Sequence, residues 1–146
     1  MPAQPISRVG GVVERTYHGS CHCKAITFTA TFNPSDGTGK CNCRLCWKQR
    51  MWKTDKVSSD NFVLRSESGA LSGFVSKHGG THHFCTRCGI STHTHIVRPE
   101  AGDDYVMIQV AAFDDLPVEE LLAAPLRIVD GYHDKWTSTP DEIRHL

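Results

Sequence analysis

Seven cysteines fall in three tight clusters: Cys21-His22-Cys23, Cys41-Asn42-Cys43-Arg44-Leu45-Cys46 and Cys85-Thr86-Arg87-Cys88. Sulfur at this spacing points to zinc, which takes four Cys or His ligands in a tetrahedron when structural, and three protein ligands plus an exchangeable position when catalytic. Seven sulfurs divide as four plus three. The simplest partition joins the CxC pair Cys21/Cys23 to the CxxC pair Cys85/Cys88, because two pairs far apart in sequence can staple two hairpins together. Gly89 helps the chain leave the second turn. Cys41, Cys43 and Cys46 then form a single knuckle around a second metal with an open position.

Other readings use the same residues. A CxC pair alone also arises on any strand, where alternate side chains share a face. Disulfides would leave one of the seven cysteines unpaired, and the N-terminus has no apolar signal-peptide core to direct the chain to an oxidising compartment. A further alternative closes the trio with His82, His83, His93 or His95. Both metals are then structural, and the chain is a non-catalytic zinc module that binds protein or nucleic acid.

An open zinc held by three thiolates carries a net charge of minus one. It is a poorer Lewis acid than the imidazole-held zinc that brings bound water to a pKa of about 7. Its chemistry favours a soft ligand, a substrate thiol held as thiolate. Such a sulfur adds to an aldehyde to give a hemithioacetal, and the reverse reaction cleaves a carbon-sulfur bond. A fourth thiolate calls for nearby cations. Lys40, Arg44, Lys48, Arg50, Lys53 and Lys56 surround the trio with Asp55 as the one acid among them, and can offset that charge or bind the carboxylates of a peptide thiol. The bland alternative for each is a solvated basic face. Trp47 and Trp52, interleaved with these cations, permit base stacking, but 16 basic residues balanced by 16 acidic ones give no general attraction to nucleic acid or anionic membrane. His93 and His95 share one strand face and are candidates for relaying a proton to a forming alkoxide.

The elements that must carry these groups read as short strands. Residues 1–10, with two prolines, read as a flexible leader. A first strand from about Gly11 ends at Gly19-Ser20 and delivers the first ligand pair. Ile26, Phe28, Ala30 and Phe32 alternate with threonines, the period of a half-buried strand. Asn33-Pro34-Ser35-Asp36-Gly37 breaks it. A helical turn is expected over Trp47 to Met51, and short strands over 52–56 and 62–65. A hairpin turning at Gly79-Gly80 feeds the CxxC, followed by strands over 90–96 and 105–110. Pro117 to Ala124 is the best helix, with Glu119 and Glu120 suited to its first turn, and Leu126 to Val129 makes a last strand. Many short strands between Gly and Pro turns indicate an all-β class with small α content. At 146 residues the chain fits one zinc domain over residues 11–136, with a polar C-terminal tail over 137–146. No apolar run reaches the roughly 18 residues of a membrane span, and reduced thiols suit a cytoplasmic protein.

The motifs resemble those of the CENP-V/GFA family, named for a centromere protein and a glutathione-dependent formaldehyde-activating enzyme. The matching elements are Gly19-Ser20-Cys21-His22-Cys23 with the Ile26/Phe28 strand, Cys41-Asn42-Cys43 with Cys46, and Phe84-Cys85-Thr86-Arg87-Cys88-Gly89. The Tyr105 to Asp115 stretch and the closing Val129-Asp130-Gly131 complete the resemblance. It implies a β-tent of several short antiparallel sheets, a structural zinc at Cys21, Cys23, Cys85 and Cys88, and a catalytic, labile zinc at Cys41, Cys43 and Cys46. It also implies a carbon-sulfur lyase joining glutathione and formaldehyde into S-hydroxymethylglutathione. Two departures bear on the substrate: many relatives have a small residue where this chain has Arg44, and Gly where it has Lys24.

Overall fold

A computed structural model describes residues 4–9 and 12–146, with side chains from residue 14 onward. Among the described residues twelve strands form. The first seven are β1 (Gln4–Val9), β2 (Val12–Ser20), β3 (Ile26–Phe32), β4 (Thr38–Cys41), β5 (Lys53–Thr54), β6 (Val57–Ser58) and β7 (Phe62–Ser66). The others are β8 (Leu71–Val75), β9 (Gly80–Cys85), β10 (Ser91–Arg98), β11 (Asp103–Ile108) and β12 (Leu126–Val129). Two short helices, α1 (Arg44–Lys48) and α2 (Val118–Ala123), complete the chain. The strands make three small sheets in the orders β1-β2-β3-β7, β6-β11-β10-β9-β8 and β12-β4-β5. The all-β expectation holds, with one difference: β12 runs parallel to β4. No helix among the described residues is long and apolar enough to cross a membrane.

The alternation in β3 decides the core. Ile26, Phe28, Ala30 and Phe32 are all buried, while the threonines between them are exposed or half-buried. Phe28 and Phe32 each lie 5.4 Å from Phe113, and Tyr17 packs 5.3 Å from Phe32, in the tilted and edge-on arrangements that aromatic rings favour. Val57, Val106 and Ile108 reach the same cluster from β6 and β11, so the two larger sheets share one interior. Helix α2 forms where expected, with Pro117 at its N-cap, and is tied to β2 by Tyr17 Oη donating to Glu120 Oε2 at 2.5 Å and by an Arg15–Glu120 ion pair at 2.8 Å.

Two stretches differ from the sequence expectation, and the packing of a third was left open by it. Gln4–Val9, inside the expected leader, pairs antiparallel with β2, and the ladder accommodates Pro5 at a register shift before Ser7. Residues 1–3 and 10 of that leader lie outside the described residues. The helical turn expected over Trp47 to Met51 begins at Arg44, because the Cys43 sulfur caps it by accepting from Cys46 N. The C-terminal tail is folded back on the domain: Asp130 N donates to Ser138 O at 2.9 Å, and the His145 ring sits 4.8 Å from Trp47.

Candidate metal centres

Cys21 and Cys23 leave the end of β2, and Cys85 and Cys88 leave the end of β9, in two turns of matching design. Cys21 N donates to Ile26 O at 3.1 Å and Cys85 N to Ile90 O at 3.0 Å, so each turn closes over five residues. Each also aims an amide at its first sulfur, Ile26 N at Cys21 Sγ (3.3 Å) and Arg87 N at Cys85 Sγ (3.4 Å). Gly89 leaves the second turn at φ 76°, and Lys24 leaves the first at φ 64°, a left-handed conformation that glycine adopts at lower cost. That is the physical content of the Lys24 departure: the backbone keeps the geometry with a side chain present. Backbone N–H groups of Cys23 and Ile90 hold the Cys88 thiol down at about 6.

The sulfurs fit zinc. At a Zn–S length of about 2.3 Å, two thiolates on a tetrahedral ion stand about 3.8 Å apart. The Cys21–Cys23 and Cys23–Cys85 sulfurs are each separated by 3.7 Å, and all four lie within 4.8 Å of one another. Cys21 and Cys85 are buried with Ala25, Ile26 and Ala70 in a second, small-residue core.

The second cluster is built where β4 meets α1. Cys41 ends the strand, Cys43 caps the helix and Cys46 lies in its first turn. Cys43 N donates to Cys41 Sγ at 3.3 Å, and Cys46 N to Cys43 Sγ at 3.4 Å. The three sulfurs lie within 4.8 Å of one another, and among the described residues no histidine nitrogen or carboxylate oxygen joins them at that spacing. Contacts from Cys41 and then Cys46 hold the Cys43 thiol well down, while Cys43 pushes the Cys41 thiol up and Cys41, then Cys43, push up that of Cys46. A divalent cation lets all three be thiolates, and the donor set suits zinc.

Parallel pairing of β12 with β4 brings Asp130 and Gly131 beside the trio. Buried Asn42 donates through Nδ2 to Asp130 Oδ1 at 2.8 Å and accepts Tyr132 N at 2.9 Å, while His133 Nδ1 lies 2.9 Å from Asp130 Oδ2. The Asn42 amide, and then His133, keep the Asp130 carboxyl below its usual range. Gly131 lies against Cys41 so closely that a Cβ there would stand 2.5 Å from the sulfur and 2.8 Å from the Trp136 ring. Gly131→Ala is therefore expected to displace Cys41 and weaken metal retention at the trio about tenfold, the lower end of what outer-shell changes cost. Competition against a chromophoric chelator measures it, and the four-cysteine centre serves as the control.

The histidines proposed from sequence are mostly core residues. His83 and His93 stack at 4.5 Å, and His93 packs 4.7 Å from Phe62 and bonds Thr92 Oγ1 at 2.9 Å. Burial pushes His93 down to about 3, so it is neutral near pH 7. His95 shares that face and pairs with Asp104 at 2.7 Å. Among the described residues neither makes a side-chain bond to the trio. His82 lies on the opposite face, bonds Thr94 Oγ1 at 3.0 Å and is pushed down to about 4, chiefly by burial. Arg44 lies 5.8 Å over the Tyr132 ring.

A cavity of about 160 Å³ opens beside the trio, lined by Cys41 and Cys46, by Trp47 and Trp52, and by Lys40 and Arg50. Sequence reading singled out these cations and indoles but not the Asn42–Asp130–His133 network. The Val129-Asp130-Gly131 stretch was its only trace, and nothing in the spacing joined it to Asn42.

A family model described as glutathione-dependent formaldehyde-activating enzyme matches residues 16–128, which takes in all seven cysteines. A crystal structure of a Rhodobacter sphaeroides protein is similar in fold, with a TM-score of 0.60 at 21% identity over 75% of this chain and 98% of that one. No curated protein matches the chain.

Proposed function

We infer what this chain does from one premise: it belongs to the glutathione-dependent formaldehyde-activating enzyme family. The reading is a carbon-sulfur lyase that joins glutathione, or a related thiol, to a small aldehyde such as formaldehyde. Cys21, Cys23, Cys85 and Cys88 hold a structural zinc, and Cys41, Cys43 and Cys46 a catalytic one. The observation that carries it is the trio itself, three sulfurs gathered at the edge of a cavity with no fourth protein ligand among the described residues.

Bound there, zinc would supply a seat for a soft sulfur donor and favour that donor's thiolate, with little Lewis-acid pull on a carbonyl. The chain's own groups do the rest. Trp47 and Trp52 wall the cavity, and Lys40 and Arg50 place positive charge at it, suited to the carboxylates of a peptide thiol. At about 160 Å³ the cavity is smaller than the roughly 300–1,000 Å³ of pockets that enclose a whole ligand. It suits the sulfur end of the thiol and a one-carbon carbonyl, with the rest of the thiol lying outside. In the reaction the sulfur bonds to the carbonyl carbon, the C=O π pair moves to oxygen, and the proton lost by the thiol ends on that oxygen. Asn42, fixed by Asp130, and Gly131 hold the cysteine loop in place. The reducing cytoplasm, where both thiol classes persist, is the compartment this reading requires.

The test is cobalt substitution. Two cobalt ions per chain are expected, and glutathione should shift the visible spectrum of one of them, with hemithioacetal exchange faster than the uncatalysed background by two-dimensional NMR. A spectrum indifferent to glutathione would instead identify a closed, non-catalytic zinc module.

A further inference from the structure

Residues 139–146 lie outside the stretch that the family model matches, and the structure folds them back to the trio's cavity. Leu146 lines that cavity together with Cys41 and Cys46, while His145 lines a second, larger one of about 550 Å³ beside Asn42 and His133. Trp47 borders both. His145, Leu146 and the Trp47 indole therefore stand between the two spaces.

The segment is held lightly. Arg50 donates through Nη1 to His145 O at 2.6 Å, and the His145 ring meets the Trp47 ring edge-on at 4.8 Å. Leu146 N closes a turn onto Ile143 O at 3.1 Å, and the Arg144–Glu142 ion pair lies within the segment itself. Among the described residues no other hydrogen bond ties 139–146 to the rest of the chain, and residues 141–144 are exposed. One hydrogen bond and one ring contact put a segment at the low-stability end of a fold, where local opening costs least. Both anchors, Arg50 and Trp47, are groups that the cavity offers a ligand. Arg50 here donates to a neutral carbonyl, and a carboxylate accepts from a guanidinium about twice as strongly. A ligand that carries a carboxylate can take Arg50 from the segment.

We propose that residues 143–146 are a strap over the three-cysteine centre, seated in the resting chain and displaced when a carboxylate-bearing thiol takes over Arg50. Seated, the strap competes with the thiol for Arg50 and Trp47 and slows access to the trio. Displaced, it joins the two cavities, of which the larger already lies within the roughly 300–1,000 Å³ that encloses a whole ligand. The thiol's part in this rests on the function proposed above; the cover over the trio does not.

The experiment compares the cobalt-loaded full chain, a chain ending at Glu142 and the His145→Ala variant, following removal of each cobalt by a chelator and titrating the visible spectrum with glutathione. A strap seated about nine-tenths of the time lowers access and apparent affinity about tenfold. The chain ending at Glu142 is expected to release the trio's cobalt about tenfold faster and to bind glutathione about tenfold more tightly. His145→Ala keeps the carbonyl on Arg50 and loses the ring contact, so each change should be about threefold. Cobalt at the four-cysteine centre should leave at the parent rate in both variants. The proposal is overturned if shortening the chain leaves release from the trio within about twofold of the parent. It is equally overturned if glutathione binds the shortened chain more weakly, which would make the segment a wall of the site and no competitor. Faster release from both centres together also overturns it, since the segment would then support the fold. A full-chain spectrum that ignores glutathione sinks the proposed enzyme, while the chelator arm still decides the strap.

Discussion

Cys46→Ser is expected to lower the catalysed formation of the hemithioacetal to background, a loss of more than about 100-fold, since removing a ligand must exceed the 10–100-fold that outer-shell changes cost. Metal content should fall from two ions per chain to one. The fold should survive, because α1 is a five-residue helix beside the cavity and no member of the main aromatic core belongs to it. Cys46 is the informative choice among the three because it is buried at 8% exposure and lines the cavity. Its sulfur accepts neither of the two amide bonds that shape the loop around Cys41 and Cys43. Metal analysis together with exchange-rate measurement checks the result. A Cys46→Ser chain with one metal and undiminished turnover would remove the trio from the reaction.

The four-cysteine centre predicts the opposite pattern, a large stability effect. Cys85→Ser is expected to destabilise the fold by about 5 kcal/mol, within the range set by losing a structural metal. In a domain of this size that lowers the unfolding midpoint by about 10–20 °C. The reason lies in what surrounds the sulfurs. The buried core there is Cys21, Ala25, Ile26, Ala70 and Cys85, with Leu64 and Leu71 only partly buried against it, so it buries less apolar area than the aromatic core. The join between the turn after β2 and the turn after β9 therefore depends on the metal more than on packing. Prolonged chelation should reproduce the effect in the unmodified chain, and the trio, with fewer ligands, should release its ion first. Thermal unfolding of parent and variant, with metal release followed in parallel, decides it. A variant melting with the parent would show the centre to be dispensable for the fold.

These two outcomes follow from a division already visible in the order of the residues. A CxC or CxxC places its sulfurs by local turn geometry, so the grouping of Cys21 with Cys23 and of Cys85 with Cys88 needed no tertiary information. The β3 strand was legible for the same reason, since a period of two on one face states which residues are inward. Local reading failed where a side chain's partner is distant. His93 is an ordinary proton-relay candidate on its strand, yet its ring lies against Phe62 of another sheet, and that contact makes it a neutral core residue. The start of α1 was missed because sequence propensity gives no weight to a sulfur acting as an N-cap.

The sequence by itself determined the three local cysteine clusters and the all-β class, because each is set by spacing within a few residues or by strand period. Only the tertiary structure decided what stands around the trio. Parallel pairing of β12 with β4 puts Asp130 against Asn42 across 88 residues of chain and Gly131 against the Cys41 sulfur. Sheet packing also sets Lys53 Nζ against Thr94 Oγ1 of β10 at 3.4 Å. Such contacts arise from how separate sheets meet, and no periodicity along a single strand encodes them.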